Sequence, residues 1–591
     1  MKLSSLFSAA IAGAALLATA GAAPAQSELA ASTLRSPFRP IDDQIAPAGS
    51  ARVSFDGSEW SAFDALHAAG DVVALTDFVL PGGRSVDLVL RPISAFAAGA
   101  AAVVVREDGD HALAPSVRCF TGTVEGEGGT AFLAVSRGLL NGYLEIAGET
   151  WFLSSAGSAN GAWIAHQAAI PGGGLLKDFC RVLESPPVPE DSTGRQDASV
   201  ARVRVLDMFM EIDNQMRQVF GSDQDAIDYF ATLATAIGEI WRRDLGVVLN
   251  IPNGYMRLWT VTPPWGVVND FNGLTPFRDW WDSANNPDRN IPRAGVHLFT
   301  NPVFGGVAWL PAVCSFTYGY ALSSLNGFFP YPIHHLDGAN WDLFVTGHEW
   351  GHNLGSPHTF DYVPPIDCND GSGPDGGTIM SYCHGNGMQT VGMRYHARVQ
   401  EVIRSTVTSS GCKRLVTLTK GDYDMDGVLT NADLVAMISC RNQGFFSAGC
   451  LETMDMDNDD DLDDCDYRLL EIGVRGYELT LSHDQLLLRG QSATFTVTGA
   501  NSGERVHFLY GLNGVGCGDC YSQIGGACLE VMAPVKRIGS ALATPAGVAA
   551  LTINIPNNAP IIEIFTQAVA IRGFGGAGSA KSNTSSAFIL P

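Results

Sequence analysis

The sequence contains few basic residues, and beyond its N-terminus it contains no long apolar run. Lysine and arginine total 36 against 61 aspartates and glutamates, which gives a formal net charge of −25 at pH 7. A nucleic-acid binder needs a basic face against the phosphate backbone, so the composition argues against that class. A membrane-spanning helix needs about 20 apolar residues in succession. We therefore expect no nucleic-acid partner and no membrane span.

The sequence does contain enough apolar material for several cores. Apolar residues make up 46% and charged residues 16% of the 591 positions, which is typical of globular proteins. A single core stops growing beyond about 250 to 300 residues, so we expect three or four domains.

Residues 1–25 have the pattern of a secretory signal peptide. Lys2 precedes an apolar run, and Ala23-Pro24-Ala25 forms an A-x-A cleavage site. The alternative, an N-terminal membrane anchor, is disfavoured by this cleavage site. The pattern predicts a secreted, extracellular protein.

The twelve cysteines are most simply interpreted as disulfides, because an exported chain meets an oxidising compartment and the count is even. Their grouping along the chain suggests separate domains. The groups are Cys119 and Cys180; Cys314, Cys368, Cys383 and Cys412; Cys440, Cys450 and Cys465; and Cys517, Cys520 and Cys528.

Composition divides the remaining chain into four domains and a linker. Residues 26–184 have short β-like runs with glycine-rich turns, and residues 185–199 form a proline-rich, polar linker that suits a processing site. Residues 200–412 mix strand and helix patterns. Residues 413–475 are rich in aspartate and predict a small helical module. Residues 476–591 contain strand runs separated by turns, which favours a β-sandwich.

The candidate site lies in the stretch HEWGHNLGSPH, residues 348–358. His348 and His352 are four residues apart, so on a helix both imidazoles project from one face. Gly355 can end that helix with a positive φ, which brings His358 round as a third nitrogen. Three imidazoles with a fourth position open describe a catalytic zinc centre, since a structural zinc is closed by four protein ligands.

The residue next to the first histidine supplies a base. The spacing predicts that the Glu349 carboxylate lies beside the zinc. Zinc lowers the pKa of a bound water from about 15.7 to about 7. Glu349 would take the proton of that zinc-bound water and hand it to the leaving amine of a peptide. HExxH alone occurs by chance on ordinary helices, but the added glycine and third histidine complete the extended metzincin signature.

A methionine turn supports the same assignment. The segment GTIMSYC places Met380 downstream of His358, as the signature requires. With this turn, residues from about 200 to 412 resemble a reprolysin (adamalysin-type) metzincin zinc metalloprotease. The resemblance implies an α+β catalytic domain, an α/β/α sandwich. It also implies the disulfides Cys314 with Cys412 and Cys368 with Cys383.

We expect the segments AGVHLFT and GGVAWL to offer an exposed edge strand, to which an extended peptide substrate can add. Tyr382 sits two residues after Met380, as in astacins and serralysins, where that tyrosine can ligate zinc or steady the transition state. The alternative is a tyrosine that packs under the site.

Residues 26–184 resemble the pro-region of reprolysins, in which a thiolate often occupies the open zinc position. Cys180 is placed for that role, although LKDFC is not the usual switch sequence. The alternative is a Cys119–Cys180 disulfide, which we favour because this region contains two cysteines.

A repeated aspartate pattern follows Cys412. DYDMDGVLTNAD has the spacing of an EF-hand-like calcium loop with Gly427 at its sharp turn, and DMDNDDDLDDCD repeats it with Asp460 in place of the glycine. The pair resembles a dockerin module, whose family binds a cohesin partner; the alternative is a solvated acidic stretch. The predicted calcium ligands are Asp422, Asp424, Asp426 and Asp433, and Asp455, Asp457, Asp459, Asp463 and Asp466.

The sequence thus predicts a secreted zinc-dependent endopeptidase made as a precursor, with zinc held by His348, His352 and His358 and with calcium in the aspartate loops. The alternative is a secreted calcium-binding adhesion or scaffold protein in which the zinc domain is inert. The four motif residues argue for the enzyme, since inert relatives usually lack one of them.

Overall fold

The computed structural model describes residues 32–41, 50–55, 60–136, 139–147, 149–155, 162–166, 179–185, 200–327, 341–368, 377–383, 392–443, 447–524, 528–573, 576 and 578–591. The predicted signal peptide and nearly all of the predicted linker lie outside these residues. The protein is multidomain and of mixed α and β structure. Residues Ala25–Val474 form one compact unit, and Arg475–Pro591 belong to a second.

The N-terminal part of the larger unit consists mainly of strands. Its elements are β1 (Ser32–Arg35), β2 (Phe38–Ile41), β3 (Ser50–Phe55), α1 (Trp60–Ala69), β4 (Val73–Val79), β5 (Ser85–Ile93), β6 (Ala102–Arg106), β7 (Gly109–Leu113), β8 (Arg118–Val124), β9 (Gly129–Ser136), β10 (Leu139–Ile146), β11 (Glu149–Ser154), β12 (Ala162–His166) and β13 (Cys180–Glu184). Within the described residues, ten of these strands form one sheet in the order β1-β4-β5-β8-β9-β10-β11-β12-β3-β2. We call β1 to β12 and α1 the N-terminal domain. The strands β6, β7 and β13 join the sheet of the next domain instead.

The central domain is built on this second sheet. Its elements are β14 (Val200–Ile212), α2 (Asn214–Arg217), α3 (Asp223–Leu245), β15 (Val247–Asn250), β16 (Met256–Trp259), α4 (Leu274–Asp282), β17 (Gly295–Thr300), β18 (Gly306–Leu310), β19 (Tyr320–Ser324), α5 (Trp341–Asn353), α6 (Ala397–Ser409) and β20 (Arg414–Thr419). In the described part of the chain the strand order is β13-β18-β19-β17-β14-β16-β6-β7, with β15 and β20 paired to β14. The strands that precede residue 185 therefore stand at both ends of this sheet.

The long helix α3 has a sequence signal at each of its ends. The Ser222 side chain caps its start by accepting a hydrogen bond from the Asp225 amide at 3.1 Å. Gly246 ends it with a φ of +64°, a left-handed conformation that glycine adopts without penalty. Phe230 and Trp241 on its inner face are fully buried in the core that the helix shares with the sheet and with α5.

The aspartate-rich segment forms three helices, α7 (Asn431–Asn442), α8 (Ala448–Met454) and α9 (Asp464–Arg475). Helix α7 packs across β5, β8 and β9 of the N-terminal domain, and α8 packs on α3 of the central domain. One apolar cluster joins Val72 and Val89 of the N-terminal domain to Tyr423, Leu434 and Leu470. The segment, which we call the aspartate-loop module, is thus part of the larger unit.

The second unit is a β-structure with two sheets. Its strands are β21 (Thr480–Ser482), β22 (Leu486–Leu488), β23 (Ser492–Thr498), β24 (Arg505–Gly511), β25 (Lys536–Leu542), β26 (Ala549–Asn554), β27 (Glu563–Ala570), β28 (Ala580–Lys581) and β29 (Ser585–Leu590). The described residues form a sheet β21-β23-β26 and a sheet β22-β29-β27-β24-β25 with β28 paired to β27. Both contribute to one apolar core, which includes Phe495 and Phe508. A shared core between two sheets is the packing of a sandwich.

The two disulfides that the family resemblance implies are present, Cys314–Cys412 and Cys368–Cys383. Cys440–Cys450 and Cys520–Cys528 are also bonded. No helix among the described residues is both long and apolar enough to cross a membrane.

Candidate metal centre

Helix α5 places two of the predicted zinc ligands side by side. His348 and His352 are fully buried, one turn apart, and their Nε2 atoms are 3.1 Å from each other. Residues 328–340, which precede this helix, lie outside the described part of the chain. The helix ends at Asn353.

A glycine turn then brings in the third ligand. Gly355 has a φ of +106°, and its amide donates to the His352 carbonyl oxygen at 2.8 Å. A Cβ at this position would also collide with the Thr406 side chain of α6. Glycine is therefore required twice, by the backbone conformation and by the close approach of α6. The turn returns His358 to the site, where its ligand atom lies within 4.8 Å of those of the other two histidines.

The hydrogen bonds of the imidazoles test whether this cluster fits a metal. His348 Nδ1 lies 2.7 Å from the Ile379 carbonyl oxygen, and His352 Nδ1 lies 2.8 Å from that of Ser356. Because a carbonyl oxygen only accepts, each Nδ1 must carry the proton, and each Nε2 then holds a lone pair. Two lone pairs 3.1 Å apart repel each other unless a cation lies between them. This donor set fits zinc.

Burial keeps the ligands in the form that binds a metal. Burial, and then the nearby His358, lower the pKa of His352 to about 3. Burial also lowers the pKa of His358, whose Nε2 has no hydrogen-bond partner among the described residues. Neutral imidazoles are the species that coordinate zinc.

Glu349 lies beside this cluster on the same helix. Its side chain is fully buried, and neither carboxylate oxygen has a nitrogen or oxygen partner in the described part of the chain. Burial raises the pKa of this carboxyl well above its ordinary value. Its neighbour across the sheet edge is Gly306 of β18, where a Cβ would overlap the carboxylate. Glycine at that position leaves the space that the base occupies.

Cys180 occupies the fourth corner of the site. Its Sγ is 3.3 Å from His352 Nε2 and within 4.8 Å of the ligand atoms of all three histidines. Burial, and then the charge of Glu349, raise the pKa of the Cys180 thiol in the metal-free site. The donor set is thus three nitrogens and one sulfur, which suits a tetrahedral zinc.

The favoured disulfide between Cys119 and Cys180 was wrong, because both cysteines are free. Cys119 is buried in β8, where Thr235 and Thr232 of α3 hydrogen-bond its side chain. The even number of cysteines misled, because parity says nothing about which residues the fold brings within bonding distance.

The segment that carries Cys180 adds a strand to the edge of the central sheet. Strand β13 runs parallel to β18, with Cys180 opposite Gly306 and Glu184 opposite Leu310. GGVAWL thus does form an edge of the central domain, as predicted, but the chain's own β13 covers it. AGVHLFT forms β17, which lies inside the sheet between β19 and β14.

The methionine turn supports the ligands from below. Met380 is fully buried, and its side chain lies so close to Gly351 of α5 that a Cβ there would overlap its sulfur. The Ile379 carbonyl orients His348, and the Met380 carbonyl accepts from the Thr359 amide at 3.0 Å, next to His358. The turn therefore fixes two of the three ligands.

Tyr382 lies against the segment that carries Cys180. Its hydroxyl donates to the Cys180 carbonyl oxygen at 3.3 Å. Its ring centroid is 4.6 Å from that of Phe179 and 4.8 Å from that of His358. In this arrangement the tyrosine packs on the site and holds the segment that covers it.

The aspartate loops form separate clusters. Ligand oxygens of three carboxylates lie within 4.8 Å of one another in each loop. Gly427 has a φ of +88°, and Asp460, at the equivalent position of the second loop, has a φ of +69°. The aspartate thus adopts the backbone conformation that the first loop gives to glycine. The clusters are Asp422, Asp424 and Asp433; Asp455, Asp457 and Asp466; and Asp461, Asp463 and Asp466. Two predicted ligands, Asp426 and Asp459, lie outside these clusters. Asp461 belongs to one of them but was not predicted.

Comparison with known proteins supports the assignment of the central domain. Residues 202–391 match the model of metallo-peptidase family M12, a reprolysin model. The match supports a zinc metalloprotease of reprolysin type in these residues.

No curated protein matches the chain significantly. Among solved structures, a superoxide reductase (neelaredoxin) from Ignicoccus hospitalis matches at 9% identity, covering 19% of this chain and 80% of the other, with a TM-score of 0.13. A similarity this low supports no inference about this chain.

Sequence reasoning missed the residues that join the domains. Arg91 of β5 is 3% exposed and lies 2.9 Å from Glu239 of α3, and its guanidinium also lies over the Tyr423 ring. A signal was present, since this arginine interrupts the apolar run SVDLVLRPI. A buried arginine usually marks a paired contact with another element.

Proposed function

We propose that the chain is a secreted zinc-dependent endopeptidase, made as a precursor in which Cys180 closes the active site. The observation that carries the proposal is the pair of Nε2 lone pairs of His348 and His352, 3.1 Å apart, beside the buried carboxylate of Glu349. The match of residues 202–391 to metallo-peptidase family M12 supports the reaction class. The signal-like N-terminus and the disulfides, among them Cys314–Cys412 and Cys440–Cys450, support secretion.

The residues of the site have separate roles in peptide hydrolysis. His348, His352 and His358 would hold zinc, which acidifies water and polarises a carbonyl when bound. Glu349 accepts the proton of the attacking water and delivers it to the leaving amine nitrogen. Burial raises the pKa of this carboxyl, which favours its protonated form and so helps it to hold the proton that it returns to the amine.

The contacts that cover these groups support a precursor state. Cys180 lies over His352, and β13 fills the edge of β18 that an extended peptide would otherwise use. Substrate enters only after β13 leaves. The main-chain pairing of β13 and the hydrogen bond from Tyr382 both oppose that departure.

The test compares Cys180→Ala with Cys180→Ala/Glu349→Gln, each after cleavage within the predicted linker 185–199 so that β13 can leave, using hydrolysis of an unfolded protein as the readout. We expect the second variant to lose activity by at least about a hundredfold, the lower range for a general base. Zinc content, measured by mass spectrometry, should be equal in both.

Glu401→Gln, on the exposed side of α6, is the matched control and should keep full activity. If the two variants hydrolyse alike with zinc bound in each, the peptidase assignment is wrong. The calcium-binding scaffold would then be the better account.

We also propose that the two aspartate loops bind calcium. Asp422 is 1% exposed, and its Oδ1 has no partner among the described residues. Burial and the neighbouring Asp424 raise the pKa of Asp433 to about 7. Carboxylates held this close repel one another, which a bound cation would relieve, and oxygen ligands of this kind are those that calcium prefers.

Calorimetric titration of the full chain with calcium tests this second proposal, with Asp422→Asn expected to abolish the first binding event. Heats that are the same for wild type and variant would exclude the first loop. A cohesin partner, which the dockerin resemblance implies, gains no support, because α7 packs on β5, β8 and β9 of the same chain.

A further inference from the structure

Among the described residues the N-terminal domain contacts the central domain at many places, including an apolar core that holds Phe132, Tyr143 and Phe152 together with α3 and the central sheet. Strand β13 lies on one edge of the central sheet and β6 pairs with β16 at the other, Arg257 opposite Val103. A further contact is a junction between the N-terminal domain, α3 and the first aspartate loop. The two strand pairings are ordinary β-additions, so the junction is the part with distinctive chemistry.

Tyr423, the second residue of the first loop, is the centre of this junction. Its amide donates to Asp433 Oδ1 at 2.7 Å, so its backbone is tied to a predicted calcium ligand. Its carbonyl oxygen accepts from Arg242 of α3, whose Nε and Nη2 are both 3.3 Å away. The ring contacts two guanidiniums, with centroid distances of 4.5 Å to Arg242 and 5.0 Å to Arg91.

Arg91 carries the contact into the N-terminal domain. Its guanidinium is almost fully buried and pairs with Glu239 of α3 at 2.9 Å. Next to it, Val72 and Val89 pack in the same apolar cluster as Leu434 of α7. A buried ion pair is held by its geometry, and displacement of Tyr423 would leave the pair poorly packed and partly hydrated.

The module is anchored on the central domain by separate contacts. Glu452 of α8 accepts from Arg204 of β14 with both oxygens at 3.0 Å, and Arg404 of α6 lies 3.0 Å from the same carboxylate. Gly449 approaches α3 so closely that a Cβ would overlap the backbone at Arg242 and Gly246. Because α8 is fixed on the central domain, changes in the first loop act on the other neighbour, the N-terminal domain.

We propose that the aspartate-loop module is a calcium-dependent docking surface for the chain's own N-terminal domain, and that calcium in the first loop thereby keeps Cys180 over the active site. The inference rests on the proposed calcium and zinc sites. Calcium orders Asp433 and Tyr423, Tyr423 holds Arg91 and Arg242, and the N-terminal domain stays in place. Loss of calcium loosens the junction and frees β13 from its edge.

The test measures how fast the two free cysteines of the intact chain react with iodoacetamide, in calcium and in a calcium chelator. Cys180 reports the active site, and Cys119 reports the contact of β8 with α3, because Thr232 and Thr235 hydrogen-bond it. Removal of calcium should accelerate both reactions by at least about tenfold, within the usual range of coupling between two sites. Hydrogen exchange of the amides in β17 should not change, since the central core stays folded.

Arg91→Met and Arg84→Met form the matched pair of variants. Arg84 also belongs to the N-terminal domain but pairs with Glu127 at the surface, away from the junction. In Arg91→Met, both cysteines should react rapidly with iodoacetamide even in calcium, and the chelator should raise their rates little further. In Arg84→Met, the rates should be those of the wild type.

Three results would overturn the proposal. The first is that calorimetry shows calcium binding while both cysteines stay protected in the chelator. The second is that the amides of β17 lose their protection from exchange together with the cysteines. The third is that calcium does not bind. The last result also removes the calcium site itself. Failure of the zinc site alone leaves the inference testable, because Cys119 is not among the zinc-site ligand atoms.

Discussion

At the residue scale, the hydrogen bonds that two histidines donate decide which of their ring nitrogens is free to bind a metal. The carbonyl groups of Ile379 and Ser356 accept from the Nδ1 atoms of His348 and His352 and so fix the tautomer of each imidazole. The metal-binding nitrogens are thereby decided by backbone groups that no motif includes. Cys180 and Tyr382 act on the same site from outside that motif.

Substitution of Tyr382 distinguishes its two expected roles. Loss of the hydrogen bond to the Cys180 carbonyl should raise the iodoacetamide reactivity of Cys180 in Tyr382→Phe by about two- to tenfold, the effect of one neutral hydrogen bond. Zinc content should stay that of the wild type. A variant that loses zinc would instead identify the tyrosine as a ligand.

A second prediction concerns Glu211, which is fully buried at the end of β14. Burial raises its pKa from 4.5 to about 7, despite the attraction of Arg257 and the hydrogen bond from Trp259. Between these two pKa values the unfolded chain is ionised while the folded one holds the proton, so stability falls as pH rises from about 4.5 to 7.

Glu211→Gln should remove this pH dependence, which is on the order of 3 kcal/mol for such a shift. Thermal unfolding midpoints at pH 5 and pH 8 measure it. An equal decrease in wild type and variant would contradict the assignment.

At the scale of elements, the zinc helix and the methionine turn are one packed pair. Glycine recurs on the face of α5 toward that turn, at Gly347 and Gly351. A glycine inside a helix costs about 1 kcal/mol relative to alanine, so its presence indicates a packing requirement. The requirement differs between the two positions.

Gly351→Ala should destabilise the central domain by about 1–3 kcal/mol, because its Cβ overlaps the Met380 sulfur. Gly347→Ala is the control, since its nearest neighbour is Ile379 Cγ2 at 3.4 Å, an ordinary contact. It should be neutral or stabilising by up to about 1 kcal/mol. Thermal unfolding and zinc affinity should separate the two variants, and similar losses in both would show that α5 tolerates no Cβ on this face.

Local signals in the sequence were enough to predict that the three histidines converge and where α3 begins and ends. The spacing of His348, His352 and His358 and the caps of α3 are properties of short segments. The pairing of β13 with β18 was not predicted, because strand partners distant in sequence leave no periodic signal. The docking of α7 was not predicted either. Its apolar residues pack both within its own module and against the N-terminal sheet, and the sequence does not distinguish these two kinds of contact.

At the scale of the whole molecule, long covalent loops hold the central domain together. Cys314–Cys412 closes a loop across 98 residues, which contains α5, the methionine turn and α6. Cys368–Cys383 closes one across 15 residues within the same region. The entropy that a disulfide removes from the unfolded chain grows with loop length.

Replacement of both cysteines by serine should therefore cost more for the long loop than for the short one. We expect about 4–5 kcal/mol for Cys314–Cys412 and about 3 kcal/mol for Cys368–Cys383. Denaturant unfolding of the two double variants gives the comparison. A larger loss for the shorter loop would mean that strain or local contacts outweigh chain entropy.

The attachment of α8 to the end of α3 has a practical consequence for dividing this polypeptide. A fragment that stops at Cys412, where the composition changes, would strip Glu452 from Arg204 and Tyr423 from Arg242. Both guanidiniums, which are buried in the whole chain, would then be exposed to solvent or left without these partners. A recombinant fragment that retains residues up to 474 keeps these arginines covered. Transfer of residues 413–475 into an unrelated protein would move the loops without the surfaces that support them.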